Sequence, residues 1–445
     1  MTSSKPKFHV STWGCQMNVL DSQRMSGILE ALGYESTEHL RDSDILLLNT
    51  CDVREKAESK LYSELGRLNE WKRERPGRLI GVTGCVAQRV GATLLERRPF
   101  VDFVIGTGSV ERLPEAIETA REGRRAALLE LSSDSPAYQF DTISRGPSSQ
   151  ALITVIEGCD QFCTFCVVPF TRGRERSRRA AEIEREAIGL AEKGWSEITL
   201  LGQTVNAYSC PETGLSLAGL LARLTRIEGI GRLRFLTSHP SFVTREFAEV
   251  LAREPRIARY FHLPAQSGSD RVLSRMKRRY TATRYREIVE EVRRIAADVA
   301  FSSDFIVGFP GETEEDFQAT LRLIEEVRFS SLFGFLYSPR PGTASARWGS
   351  DSEVPKQVAK ERLSRLLDLQ RRIQKEQNRG LEGTVLPVLV EGEGRAGLWR
   401  GRSSCNRVVH FPRPPLARFL AGAFVDIRVE KGLENSLRGS VAASG

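Results

Sequence analysis

Ala151-Leu-Ile-Thr-Val-Ile-Glu157 runs straight into Gly158-Cys-Asp-Gln-Phe-Cys-Thr-Phe-Cys166. The first piece is an apolar, β-branched run that reads as a strand. The second places Cys159, Cys163 and Cys166 in the loop directly after it. Working outward, further strand-like runs at 197–202, 232–237, 259–263, 301–307 and 331–337 alternate with helical patterns. Six such units predict a partial β/α barrel, whose site lies at the carboxyl ends of its strands.

The C-x3-C-x2-C triplet carries its own chemistry. Thiolates are the expected ligands of iron–sulfur clusters, which usually take four. Three from one loop leave one iron of a four-iron cluster open to a substrate or cofactor. Zinc is the alternative. It needs a fourth ligand, which His239 or His262 could in principle supply, and no second C-x2-C is present.

Upstream, residues 8 to about 120 also alternate strand and helix, which predicts a parallel, doubly wound α/β domain. Phe8–Trp13 leads to Cys15, Asp44–Thr50 to Cys51 and Leu79–Gly84 to Cys85, with a fourth strand at 101–105. All three cysteines fall at strand carboxyl ends, the edge where such sheets bind ligands. They are therefore expected to converge on one site, although free cysteines are also commonly buried as small hydrophobes. Residues 123–150, with Leu131–Pro136 and Arg145–Ser149, have linker chemistry.

Downstream, an amphipathic helix at 355–378 precedes a stretch from 379 that alternates at 384–391 and 424–429, with Gly and Pro between. This predicts a small β-barrel. The stretch holds ten basic and six acidic residues, half of the chain's net +8. The expected division is 6–122, 145–377 and 379–445.

The 445 residues, 40% hydrophobic and 27% charged, have the composition of a globular protein of two or three domains. No apolar run approaches the roughly 18 residues of a membrane span, and Met1–Val10 lacks the apolar segment of a secretory signal. A cytoplasmic location without membrane partners is expected. Of the 65 basic residues 54 are arginine, as a G+C-rich genome or recognition of phosphates would produce.

The triplet spacing resembles that of the radical S-adenosylmethionine (SAM) family, and the wider pattern resembles the MiaB-type tRNA methylthiotransferases over nearly the whole chain. The resemblance rests on Gly14-Cys-Gln-Met-Asn18 with Asp21-Ser22, Asn49–Glu55, Gly84-Cys-Val-Ala-Gln88 and Cys159–Arg178. It continues through Leu201–Tyr208, Thr237-Ser-His-Pro240, His262–Ser269, Ile306–Thr313, Tyr337–Thr343 and Gly401–Arg407. Thr204, where the family usually has Asn, and Cys405, where a polar residue is commoner, depart from the pattern.

The resemblance implies two 4Fe-4S clusters and SAM. One cluster, on Cys159, Cys163 and Cys166, would cleave SAM to a 5′-deoxyadenosyl radical; the other, on Cys15, Cys51 and Cys85, would carry the transferred sulfur. The implied product is the 2-methylthio derivative of N6-isopentenyladenosine at tRNA position 37, made with an electron donor and a sulfur or cluster donor by a monomeric enzyme. An aromatic C–H bond has no acidic proton, so a cofactor-borne radical rather than a side chain must activate it. Alternatives are a methylthiotransferase for threonylcarbamoyladenosine or for a ribosomal protein aspartate, and a non-catalytic iron–sulfur RNA-binding protein.

Gln203, Ser238, Gln266 and Gly308 end barrel strands and are candidates to bind SAM, with packing or turn roles as the alternative. Arg172, Arg174, Arg176, Arg178 and Arg179 follow the cluster loop closely. They are expected to grip tRNA phosphates, as are Arg402 and Arg407 of the terminal barrel. The competing reading is a solvated helix start paired with Glu182, Glu184 and Glu186. Phe162 and Phe165 are expected to shield the cluster loop, Cys210 and Cys405 to be spectators, and Thr313 with Asp316 to cap a helix.

Overall fold

Continuous apolar runs make fully buried strands, as a parallel sheet covered on both faces requires. β1 (Lys7–Trp13), β2 (Glu35–Ser36), β3 (Ile45–Thr50), β4 (Leu79–Thr83), β5 (Phe103–Ile105) and β6 (Ala126–Leu128) form one parallel sheet in the order β2-β1-β3-β4-β5-β6. Alternation along β3 sends Ile45 and Leu47 into a core with Met25, Leu29 and Leu113. Leu46 and Leu48 enter the opposite core with Leu61, Leu65 and Leu68. Helices α1 (Gln16–Ala31) and α5 (Leu113–Arg121) thus cover one face, and α2 (Glu55–Glu74), α3 (Gly84–Val90) and α4 (Ala92–Arg97) the other. Strand order reverses between β1 and β3, and ligands of doubly wound sheets bind beyond the carboxyl ends at that point.

The structure, a computed structural model, describes residues 5–52, 55–131, 142–146, 150–349, 352–413 and 421–442, with backbone alone at 55–57. Much of the stretch read as a linker lies outside the described residues, as do Val53 and Arg54 of the Asn49–Glu55 motif. The chain divides into two units, one of 1–146, 156–161 and 166–178, the other of 147–155, 162–165 and 179–445. The C-terminal barrel therefore belongs to the same unit as the β/α core.

The run read as a single strand at 151–157 is two. β7 (Gln150–Thr154) joins the core sheet, while β8 (Ile156–Glu157) pairs antiparallel with β9 (Arg176–Ser177) of the first unit. Between them lies the short α6 (Val168–Thr171). In the second unit α7 (Ala180–Glu192), β10 (Glu197–Leu201), α8 (Leu217–Leu224), β11 (Arg232–Phe235), α9 (Arg245–Arg253) and β12 (Tyr260–His262) follow. Then come α10 (Asp270–Arg275), α11 (Ala282–Ile295), β13 (Ala300–Val307), α12 (Glu314–Val327) and β14 (Ser331–Leu336). The six strands form two parallel trios, β11-β10-β7 and β12-β13-β14, with one parallel bridge from Leu233 to Ile257 between them. Phe235, Phe247, Phe261 and Phe301 pack ring against ring at 5.1 to 5.7 Å behind the strands.

The 24-residue α13 (Lys356–Arg379) leads to a closed barrel of β15 (Val385–Glu393), β16 (Trp399–Ser403), β17 (Val408–Phe411), β18 (Phe424–Gly432) and β19 (Leu437–Val441). A buried charge cluster seats it on the core. Glu197 pairs with Arg232 at 3.3 Å and Arg234 at 2.8 Å. These guanidiniums donate onward to the carbonyls of Pro387, Arg402, Ser403 and Ser404.

Candidate metal centres

Cys15, Cys51 and Cys85 follow β1, β3 and β4, two of them at the point where strand order reverses. Cys15 is the N-cap of α1, Cys51 is buried immediately after β3, and Cys85 lies in the first turn of α3. A buried amide pair fixes the loops: Asn18 Nδ2 donates to Asn49 Oδ1 at 3.0 Å, and Asn49 Nδ2 donates to Asn18 O at 2.8 Å and Ser22 Oγ at 2.9 Å. Asn18 Oδ1 also accepts from the Cys15 thiol at 3.4 Å. Gly84 has φ +89°, and a Cβ there would collide with Asn49 Oδ1 and Thr50 O. Only glycine lets this backbone approach so closely.

The electrostatics favour thiolate at Cys15. Interaction with Cys51, Arg172 and the backbone at Asn18 and Met17 outweighs burial and brings Cys15 down to about 6. Burial pushes Cys85 up, against the pull of Arg172. Arg172 itself is buried and donates to Asp21 Oδ2 at 2.7 Å; Asp21 also takes Arg24 at 3.3 Å. Burial works against the Arg172 charge, but Asp21, Cys85, Glu157 and Cys15 together hold it firmly. Its Nη1 is buried with no hydrogen-bond partner in the described structure. A buried cation beside the Cys15 and Cys85 thiols suits an anionic thiolate-bound cluster.

The second set lies in the loop between β8 and α6. Gly158 at φ +77° admits no side chain against Arg174 O, and the Cys159 N–H donates to Gly173 O at 3.2 Å. Phe162 is held at φ +48°, unusual for a bulky residue and a sign that its surroundings impose the turn. Thr164 is pinned through its N–H to Met276 O at 3.1 Å and its hydroxyl to Arg275 O at 2.8 Å. Phe165 packs edge-on against Phe309. Cys163 is buried and accepts from Arg278 Nη1 at 3.4 Å. All eight cysteines are thiols. Among the described residues no three His, Cys, Asp or Glu side chains close on a single ion; a four-iron cluster makes the wider demand of one iron per thiolate.

Around the rim of the core the backbone turns left-handed in the loops that follow β11, β12 and β13: Thr237 at φ +68°, Gln266 at +69° and Gly308 at +70°. Ser238 is buried with its hydroxyl unpartnered among the described residues. Such a hydroxyl fits a polar cofactor, since buried polar groups are rarely left unsatisfied. Gln266 spends its backbone on Asp304 O and the Ile306 N–H, leaving its side chain half-buried at the rim. Gln203 is half-buried just past β10. The need for glycine at Gly308 has a packing cause, because a Cβ would strike Ala359 of α13. His239 and His262 are satisfied hydrogen-bonding residues: His239 Nδ1 accepts from the Ser241 N–H at 3.2 Å, and His262 Nδ1 meets Ser302 Oγ at 2.8 Å. Thr313 and Asp316 form the expected capping box of α12.

The basic run needs correction. Arg172 and Arg178 are buried, and Arg172 serves the cysteine site, so neither offers a guanidinium to a solvent-borne phosphate. The side chain of Arg176 is 8% exposed and pairs with Glu157 at 3.2 Å. Arg174, 70% exposed, and Arg179, 56% exposed, reach solvent, where they pair with Asp160 and Glu212. Arg402 donates to Glu391, and Arg407 to Asn378 and Gln377, so both tie the terminal barrel together or to α13. Sequence reasoning missed Arg278 altogether and gave Asp21 no role, because neither partnership has a spacing signature.

Residues 7–106 match the Uncharacterized protein family UPF0004, 153–324 the Radical SAM superfamily and 379–442 the TRAM domain. Among curated proteins, the tRNA-2-methylthio-N(6)-dimethylallyladenosine synthase of Geobacter metallireducens is 44% identical over 445 residues, 99% of each chain. That of Saccharophagus degradans is 44% identical over 454 aligned positions, covering 100% of this chain and 98% of its own. The chain belongs to this synthase family. The synthase of Geotalea uraniireducens adds 43% identity over 97% of this chain and 98% of its own. Among solved structures, the radical S-adenosylmethionine methyltransferase TsrM from Kitasatospora setae, with cobalamin and a 4Fe-4S cluster bound, superposes with TM-score 0.58 at 17% identity, over 77% of this chain and 74% of that one. That likeness shows a shared fold and goes no further.

Proposed function

We propose that this enzyme replaces the C2 hydrogen of N6-dimethylallyladenosine at position 37 of tRNA with a methylthio group. The observation that carries the reading is identity of 43–44% across essentially the full length of dedicated synthases. When bound, two 4Fe-4S clusters supply reductive cleavage of SAM and the sulfur that is transferred.

The chain's residues then divide the labour. Cys159, Cys163 and Cys166 would hold one cluster, which would supply the reductive cleavage of SAM. Cys15, Cys51 and Cys85 would hold the other, with the Arg172 guanidinium, anchored by Asp21, in a buried setting beside them. Ser238, Gln203 and Gln266 line the rim that receives the polar end of SAM, and the Gly308 turn shapes it. Arg174 meets tRNA phosphate, while the terminal barrel supplies the wider RNA surface. Segments 6–122, 145–377 and 379–445 are thus sulfur-carrying, radical-generating and RNA-binding parts of one enzyme. An electron donor and a sulfur or cluster donor complete the cycle. Among the described residues no helix is long and apolar enough to cross a membrane.

The test is mass spectrometry of nucleosides in bulk tRNA from cells with and without the gene. Loss of the 2-methylthio nucleoside with accumulation of N6-dimethylallyladenosine supports the assignment. An unchanged nucleoside sinks it and directs attention to threonylcarbamoyladenosine or a protein substrate.

A further inference from the structure

Arg278 occupies a place that the reaction as described does not use. Its three guanidinium nitrogens have separate partners: Nη1 donates to Cys163 Sγ at 3.4 Å, Nη2 to Pro264 O at 3.2 Å and Nε to Tyr280 Oη at 2.9 Å. Tyr280 is itself anchored by its hydroxyl to Ala265 O at 3.0 Å, and its ring centroid lies 5.1 Å from the guanidinium carbon. The backbone joins in. Lys277 turns through φ +59°, and the Arg278 N–H closes on Leu273 O at 2.8 Å. Among the described residues no carboxylate forms a salt bridge with Arg278, and its Nη1 is directed at the sulfur of Cys163. A cation held this rigidly, without a carboxylate to neutralise it, directs its field at that sulfur.

We propose that Arg278 is a positioning residue that raises the reduction potential of the cluster held by Cys159, Cys163 and Cys166. The proposal rests on the reading that this loop carries the SAM-cleaving cluster. Reduction adds one electron to a centre that is already anionic through its thiolates. A permanent positive charge and an N–H···S bond both favour the electron-rich state, and hydrogen bonds to the sulfurs and net charge are recognised determinants of cluster potential. Arginine suits the task because its charge does not titrate and its planar fork can hold a sulfur and a carbonyl together. Arg278 thereby eases the electron input that precedes every turnover.

The experiment uses full-length protein with Cys15, Cys51 and Cys85 changed to Ala, reconstituted anaerobically so that a single cluster remains. Reductive titrations followed by electron paramagnetic resonance compare Arg278, Arg278→Gln and Arg278→Lys. The expected result is a more negative midpoint for Arg278→Gln at unchanged iron content, with Arg278→Lys in between. At a fixed mild reductant Arg278→Gln should form less 5′-deoxyadenosine, and a stronger reductant should restore it. Two outcomes overturn the proposal: an unchanged midpoint with intact iron, or loss of iron in both variants, which would make Arg278 a structural prop. If the parent with only these three cysteines bound no cluster, the underlying site reading would fail instead. Should Arg278→Gln not fold, Arg278→Lys must still shift the midpoint in the same direction for the proposal to stand.

Discussion

The two cysteine sets reach their sites by opposite routes. Cys159, Cys163 and Cys166 lie within eight consecutive residues, and the loop that carries them is contiguous in sequence. Cys15, Cys51 and Cys85 span 71 residues, and only the parallel order of β1, β3 and β4 brings their loops to one edge. The first set is specified by spacing and the second by topology. The difference extends to the surroundings: the topological set is braced by the Asn18–Asn49 amide pair and the buried Arg172–Asp21 ion pair, whereas Cys163 of the loop set is met by the arginine Arg278.

The two sets should therefore fail differently. The largest expected effect is at the contiguous set. Cys163→Ala should eliminate both 5′-deoxyadenosine and methylthio product, as measured by chromatography of single-turnover mixtures. Residual SAM cleavage near the parent level would show that the loop is not the reducing site.

The next effect is on folding. Asp21→Leu strands the Arg172 cation in a site where the partner side chains are 3% and 4% exposed. Removing one member of a buried pair typically costs about 3–5 kcal/mol, and urea unfolding of the apoprotein should show a loss of that size. A change below about 1 kcal/mol would mean that solvent reaches the pair.

How much of this was legible beforehand depends on whether the cause is local. Runs such as Ile45-Leu-Leu-Leu48 and Ile198-Thr-Leu-Leu201 announce buried strands because a parallel sheet hides both faces. The break at Val155 was not legible, since the apolar run continues across it; Val155 N–H turns to Leu201 O while Ile156 pairs with Ser177. β16 and β17 escaped notice because β16 is Trp-Arg-Gly-Arg-Ser and β17 includes His410, and closure of the barrel rather than an apolar run makes them strands. The arginines after Cys166 look alike in sequence, yet Arg172 and Arg178 are buried while Arg174 faces solvent. Burial of a long cationic side chain is decided by its tertiary partners. The left-handed turns at Thr237 and Gln266 likewise have no residue signature, for neither is a residue that prefers that region.

A smaller effect sharpens the contrast at the core rim. His239 is brought down to about 2 by burial, then by Arg278 and Arg279, so it stays neutral when folded. The unfolded chain binds a proton there below about pH 6.5 and the folded chain does not, so stability must fall as pH falls. Between pH 7.5 and 5.5 this residue alone should cost about 1.4 kcal/mol. His239→Asn should flatten that part of the profile in denaturant titrations, and an unaltered slope would contradict the burial assigned to it.

The smallest effect is expected on the surface. Arg174→Ala should weaken tRNA binding by only a few-fold and reduce the salt slope by roughly one ion, as loss of one phosphate contact does. Arg178→Lys, by contrast, should act on folding and leave the salt slope alone. Filter binding at several salt concentrations separates the two.

The most direct test of the division between the two sets is Cys51→Ala in reconstituted enzyme supplied with reductant, SAM and tRNA bearing N6-dimethylallyladenosine. Retained 5′-deoxyadenosine formation with no 2-methylthio product is the predicted result, because sulfur delivery depends on the topological set and radical generation on the contiguous one. Undiminished methylthio product would contradict the account at its centre.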